Sequence, residues 1–273
     1  TLAVLLRDEA AGAELRLYYT TYPAEDVITR RAELVCTGAG LSIRKLMSLS
    51  LDLAERELKM TTFTGGWIRE AHRCERAVEG TLVNESRTGF SSSRANPGFI
   101  LSEREANEEH GRVWGFNLVY SGSHMSCVSA DERGSARVMC GISPDRFDWR
   151  LEQGESFETP EAVMCFSAEG LGGMSRAMHD FVNRHIVRGP WAGRGRPVLV
   201  NAWEGFMFDF DARRLLSVAR RAKAMGAELF VMDDGWFIGR DDDTGGLGDY
   251  EPDRKKLPEG VSGLARDMKK LGL

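Results

Sequence analysis

The chain has 273 residues, 42% of them hydrophobic, with 13 Phe and 6 Trp, enough to bury a sizeable core and to form one large domain or two ordinary ones. A formal net charge of -5, with both signs interspersed, provides no basic footprint for nucleic acid. No apolar run reaches the length of a membrane span, and the first residues lack the basic-then-apolar layout of a signal peptide. The chain starts at Thr1 rather than Met and enters directly into a strand-like run, so a longer natural N-terminus is expected. Cys36, Cys74, Cys127, Cys140 and Cys165 are odd in number, far apart and in no metal-ligand spacing, which favours a reduced, cytoplasmic setting without structural disulfides.

From Thr1 to about Glu169 the pattern is predominantly β. The segments Leu15–Tyr19, Val27–Val35, Leu41–Arg44, Trp114–Tyr120 and Ala136–Ile142 show alternation or β-branched and aromatic enrichment between Gly, Asp or Pro clusters. Such short strands with turn signals predict packed antiparallel sheets. Between Glu169 and His185, Leu171, Met174, Met178, Phe181 and Val182 recur at helical spacing and predict a linking helix. Gly189-Pro190 and Gly193-Arg-Gly-Arg-Pro197 punctuate the connection beyond this helix. The expected organisation is a β-sandwich domain over 1–169, a helix and connection over 170–196, and a β/α region over 197–273.

That last region carries the chemistry. The apolar run Val198-Leu-Val200 ends in Asn201-Ala-Trp203-Glu204, and the run Leu229-Phe-Val-Met232 ends in Asp233-Asp234-Gly235-Trp236. Continuous apolar runs are expected of parallel strands buried on both faces. Between them Asp211 is placed to N-cap a helix, Leu215, Leu216, Ala219, Ala222 and Met225 keep helical spacing, and Gly226 stands at the left-handed C-terminal position. In such βαβ units the carboxyl ends of the strands hold the functional side chains, which singles out Trp203, Asp233 and Asp234. Adjacent carboxylates on a strand point to opposite faces unless the chain bends. Glycosidase acids must stand about 5–5.5 Å apart for retention or about 6.5–9.5 Å for inversion, so this pair is ill suited to be nucleophile and acid. They suit hydrogen-bond acceptance from sugar hydroxyls, with the Trp203 ring as an apolar platform; the alternative is a polar strand-to-loop turn with Trp203 in packing.

The blocks Asn201–Glu204 and Leu229–Phe237, followed by Arg240-Asp-Asp-Asp243, Leu247-Gly-Asp249 and Lys256-Leu-Pro-Glu-Gly260, resemble the start of the catalytic barrel of family 36 α-galactosidases. Upstream, Ser50–Leu53, Gly65-Gly-Trp-Ile-Arg-Glu70, Ser86-Arg87, Asn96-Pro97 and Gly154–Glu161 resemble that family's large N-terminal β-domain. The resemblance implies an antiparallel β-supersandwich domain followed by the first βα units of a TIM (β/α)8 barrel. It implies a retaining hydrolase of terminal α-D-galactosyl residues, such as those of melibiose or raffinose, that needs no cofactor and no metal. Its matching Trp203, Asp233 and Asp234 line the galactose subsite, and its match to Trp67 sits near the mouth of that site, where the bare residue pattern allows β-domain packing equally. A homo-oligomeric parent, such as a tetramer, is also implied.

The family's nucleophile lies in a Lys-Trp-Asp motif that this sequence lacks, and its acid/base lies further on. About 75 residues follow Val198, against about 250 for a whole barrel. The expectation is therefore a segment of a larger enzyme, itself without hydrolytic activity. Rival readings are a transglycosylase, which would keep both acids, and a non-catalytic galactoside-binding protein. The acidic run Asp241–Gly246 departs from a calcium loop, because its fifth position is Gly245 and its twelfth Pro252. His179 and His185 lack zinc-site spacing and read as surface or interface residues. Departures from the family pattern are Ser93-Arg-Ala95, where many members are His-rich, and Tyr250, where a Trp is common.

Overall fold

Residues 1–55, 57–91, 94–133, 135–248 and 250–273 are described by the computed structural model; Ser93 and Asp249, both singled out in the sequence, lie outside the described residues. The chain divides into two units, Thr1–Arg188 and Gly189–Leu273.

The first unit carries β1 (Leu2–Asp8), β2 (Ala13–Tyr22), β3 (Val27–Cys36), β4 (Leu41–Ile43), β5 (Met47–Leu53), β6 (Leu58–Thr64), β7 (His72–Ala77) and β8 (Thr81–Glu85). Then come β9 (Ala95–Glu103), β10 (Val113–Val119), β11 (His124–Ala130), β12 (Ala136–Ile142), β13 (Trp149–Leu151), β14 (Ser156–Glu158) and β15 (Glu161–Ser167). A large sheet runs in the order β1-β2-β3-β15-β10-β9-β6-β7, with β14 also on β3, and a smaller one runs β5-β12-β11-β8. Pairing within both sheets is antiparallel. The side-chain period of two assigns alternate residues to opposite cores. On β10, Trp114, Phe116 and Leu118 join Leu49, Val128 and Val138 of the small sheet in the inter-sheet core. Phe99 and Phe116 are cross-strand partners with stacked rings 4.8 Å apart. Burial of each such ring contributes about 1.5–3 kcal/mol.

The opposite face of the large sheet is covered by helix α1 (Gly170–Phe181). Val163 and Cys165 of β15 meet Leu171, Met174 and Phe181 of the helix there. The helix continues as a π-helical turn, Val182–Ile186, closed by the Val187 N–H on the Val182 carbonyl at 2.9 Å. Val182, the first residue of this turn and expected on the buried face, is exposed.

In the second unit β16 (Leu199–Asn201) pairs in parallel with β17 (Leu229–Val231), connected through α2 (Trp203–Phe206) and α3 (Ala212–Ala224). The Asp211 carboxylate accepts from the Arg214 N–H at 2.7 Å and caps α3, and Gly226 has φ +100° just past its end. Helix α4 (Gly260–Lys270) supplies Leu264 and Met268 to a core with Leu215, Ala219, Phe210 and Leu257. The second strand ends one residue earlier than the apolar run predicts, at Val231, because the chain leaves the ladder as it turns toward Asp233.

Candidate functional site

The two strand ends are joined by side chains. Asn201, the last residue of β16, accepts the Trp203 N–H on Oδ1 at 2.9 Å and donates from Nδ2 to Asp233 Oδ2 at 2.7 Å. One amide group thereby fixes both the entry into α2 and the carboxylate that follows β17. The other Asp233 oxygen accepts the Asp234 N–H at 2.8 Å, and the side chain is exposed. Each oxygen of an ionised carboxylate accepts about two hydrogen bonds, so Asp233 keeps acceptor capacity for a ligand.

Asp234 differs. The Arg240 guanidinium meets it as a fork, with Nε 2.9 Å from Oδ1 and Nη2 2.6 Å from Oδ2, and the Gly235 N–H adds a bond of 2.7 Å to Oδ1. The Arg240 fork, helped by the Gly235 N–H and the Lys256 charge, holds the Asp234 carboxyl below the usual carboxylate range against the opposing effect of burial. Arg240 is itself buried, donates to the Gly245 carbonyl at 2.9 Å and lies over the Phe208 ring. Gly235 has φ +88°, and a Cβ there would stand 3.0 Å from Phe208 and 3.3 Å from Phe210. Only glycine fits that bend without strain. Asp233 bonds Asn201 while Asp234 bonds Arg240, so the two adjacent carboxylates have separate partners within a polar strand-to-loop turn.

Trp203 is half-buried and packs edge-to-face on Phe208, with ring centroids 5.0 Å apart. Lys256 Nζ reaches the carbonyl oxygens of Gly235 at 2.8 Å, Phe208 at 3.1 Å and Arg240 at 3.3 Å, and Asp241 Oδ1 at 2.8 Å. Tyr250 lies against Phe237 and Trp236, with centroids 5.1 and 6.4 Å away. In the acidic loop Asp242 Oδ1 accepts both the N–H and the hydroxyl of Thr244, which lowers the Asp242 pKa. Among the described residues no group of three or more His, Cys, Asp or Glu side chains is arranged to hold a metal ion.

Trp67 stands at the tip of the β6–β7 hairpin in the first unit, 89% exposed. Backbone bonds exchanged between Gly66 and Arg69 close the tip, and Ile68 next to the Trp has φ +65°, an uncommon conformation for a β-branched residue. His179 is exposed, while His185 packs on the Tyr22 ring with Nε2 3.5 Å from Glu25 Oε2. Burial pushes the Cys140 thiol up to about 12 and the Cys165 thiol up to about 11, so neither offers a thiolate nucleophile. Asn201, Arg240 and Lys256 were visible in the sequence only as motif letters. A polar Asn ending an apolar run, and a Lys just before the buried Leu257, were the local signals of their roles.

The family model for the glycosyl hydrolase family 36 N-terminal domain matches residues 1–152, and the model named melibiase matches residues 156–273. The chain belongs to glycosyl hydrolase family 36. Within the family, alpha-galactosidase AgaA of Geobacillus stearothermophilus is 42% identical over 275 residues, which cover 100% of this chain and 38% of that protein. Probable alpha-galactosidase G of Aspergillus terreus is 39% identical over 276 residues, 99% of this chain and 38% of the relative. A crystal structure of a variant of the Geobacillus AgaA in complex with raffinose superposes with a TM-score of 0.95 at 41% identity, covering 99% of this chain and 38% of that one. The chain thus spans about 38% of the length of these family 36 relatives. Its two parts are the family's N-terminal β-domain and the start of its catalytic domain.

Proposed function

We propose that this chain is the galactose-gripping part of an α-galactosidase that releases terminal α-D-galactosyl residues from galacto-oligosaccharides with retention. Asp233 and Asp234 accept hydrogen bonds from galactose hydroxyls, Trp203 offers its ring to the apolar sugar face, and Trp67 of the first unit is a further sugar-contacting residue. The acids that break the glycosidic bond belong to other strand ends of the full-length protein, and the reaction needs no cofactor.

The observation that carries this reading is the Asn201–Asp233 bond, which presents an exposed, oriented carboxylate at the carboxyl end of a parallel strand. A carboxylate already held in place loses little freedom on binding, which favours directional recognition of a hydroxyl. The raffinose bound by the Geobacillus relative supports an α-galactoside as the substrate class.

The test is turnover of p-nitrophenyl α-D-galactoside by the full-length protein and by Asp233→Ala. Release of galactose by the wild type, with kcat/KM falling on the order of 10²-fold or more in the variant, is the expected result. A full-length protein that cleaves no α-galactoside would overturn the proposal.

A further inference from the structure

We infer that Lys256 is a positioning residue for this site, acting as a fixed internal cation that staples the loops after both strand ends into one platform. The inference rests on the galactoside reading above. It starts from an excess of acceptors: the ammonium has three N–H donors, yet four oxygens lie within 3.3 Å of Nζ. Three of the oxygens are backbone carbonyls from different places. Phe208 belongs to the segment after α2, Gly235 to the bend after the carboxylate pair, and Arg240 to the residue whose guanidinium clamps Asp234. The fourth is the Asp241 carboxylate, which balances the charge.

The surroundings show that the ammonium is built in rather than draped over a surface. The Lys256 side chain is 12% exposed, and its Nζ stands 5.4 Å from the centroid of the Phe210 ring. Neighbouring Phe208 packs against Trp203 and under Arg240, and both Phe208 and Phe210 meet the Gly235 backbone. The Phe208 carbonyl also accepts the Phe210 N–H at 3.2 Å, so the Lys256 ammonium matters most to the carbonyls of Gly235 and Arg240, because a buried carbonyl left without a donor destabilises the fold. A point charge on a flexible stem can satisfy several converging carbonyls at once, whereas a planar guanidinium directs its donors outward along a fork. Lys256 therefore fixes the relative placement of the Trp203 platform and the two carboxylates without itself offering an atom to the sugar. Its removal loosens the grip on hydroxyls that do not react, which weakens substrate and transition state alike.

The experiment compares full-length wild type, Lys256→Met, Lys256→Arg and the exposed neighbour Lys255→Met in steady-state kinetics with an aryl α-galactoside. Amide hydrogen exchange is measured on the same samples. Lys256→Met is expected to raise KM on the order of tenfold or more with a smaller change in kcat, and to speed exchange in 206–211 and 233–246 but not in the strands. Lys256→Arg, which keeps the charge, is expected to raise KM severalfold, and Lys255→Met to match wild type. Unchanged KM and unchanged loop exchange in Lys256→Met would overturn the inference, as would a lowered melting temperature with KM intact, the mark of a merely structural lysine. Should Lys256→Met fail to fold, a wild-type KM in Lys256→Arg overturns it instead. If the wild type cleaves no galactoside, the functional proposal fails by itself, and the exchange comparison still decides whether Lys256 holds the loops.

Discussion

The strand-end loops of the second unit and the β6–β7 hairpin tip of the first present aromatic and polar groups in opposite ways. In the loops each carboxylate is tied: Asp233 to Asn201, Asp234 to Arg240 and Gly235. The hairpin tip holds its shape by two backbone bonds and by the Ile68 N–H on the Glu70 carboxylate at 3.0 Å, and leaves Trp67 almost wholly in solvent. Rigid, hydrogen-bonded acceptors suit directional recognition of hydroxyls, where a misplacement of about 1 Å can cost 10²-fold. A bare ring on a hairpin suits adaptable apolar contact. The two regions differ in what a substitution breaks, geometry in one and contact area in the other.

Arg240→Met is expected to have the largest effect of the substitutions outside the carboxylates themselves. It removes the fork from Asp234, and galactose affinity of the full-length protein should fall on the order of 10²-fold by titration calorimetry, with the fold intact by circular dichroism. Gly235→Ala comes next. It forces a Cβ into a backbone with φ +88° beside Phe208, and unfolding in urea should show a loss of about 1–3 kcal/mol.

Acid should reproduce part of the Arg240 effect without mutation. Asp234 has a carboxyl pKa held below its unfolded value, so its contribution is fully present above the unfolded value of about 3.9 and is lost as pH falls through the lower folded value. Protection of 233–246 against hydrogen exchange, corrected for the intrinsic rate at each pH, should therefore fall below about pH 4, a change absent in Arg240→Met. Buried His124 sets a second and separate window in the β-domain. Burial lowers its pKa, its Nε2 bonds the Ala95 carbonyl at 2.9 Å, and its Nδ1 has no hydrogen-bond partner among the described residues. Stability there is present above the unfolded value of about 6.5 and falls as pH drops from it toward the folded one. The smallest effect is expected from Trp67→Ala, which should leave stability within about 0.5 kcal/mol of wild type while raising KM for an α-galactoside severalfold.

Legibility in the sequence followed the range of the interaction. The Asp211 cap, the Gly226 stop and the parallel pairing of the two apolar runs rest on contacts within one turn or one run and stand as the pattern predicts, whereas Leu199 and Leu229, expected to be buried on both faces, are exposed. The β-domain was legible as a class, but β7, His72–Ala77, is polar and almost entirely exposed, with no alternation to reveal it. Its charged edge position is itself a protection against pairing with other chains. Trp203, Asp233 and Asp234 could be placed at strand ends from periodicity alone. Their support could not, because Asn201 reaches across 32 residues to Asp233 and Lys256 across 48 to Phe208. Val182 keeps the apolar spacing of the helix and is nevertheless exposed where the π-helical turn begins.

The most direct test of the central claim is calorimetric titration of D-galactose into the full-length protein, into Asp233→Ala and into Trp67→Ala at neutral pH. Binding that is retained in Trp67→Ala and lost in Asp233→Ala is the predicted result. Equal binding by wild type and Asp233→Ala would contradict it, and would move the sugar away from these strand ends.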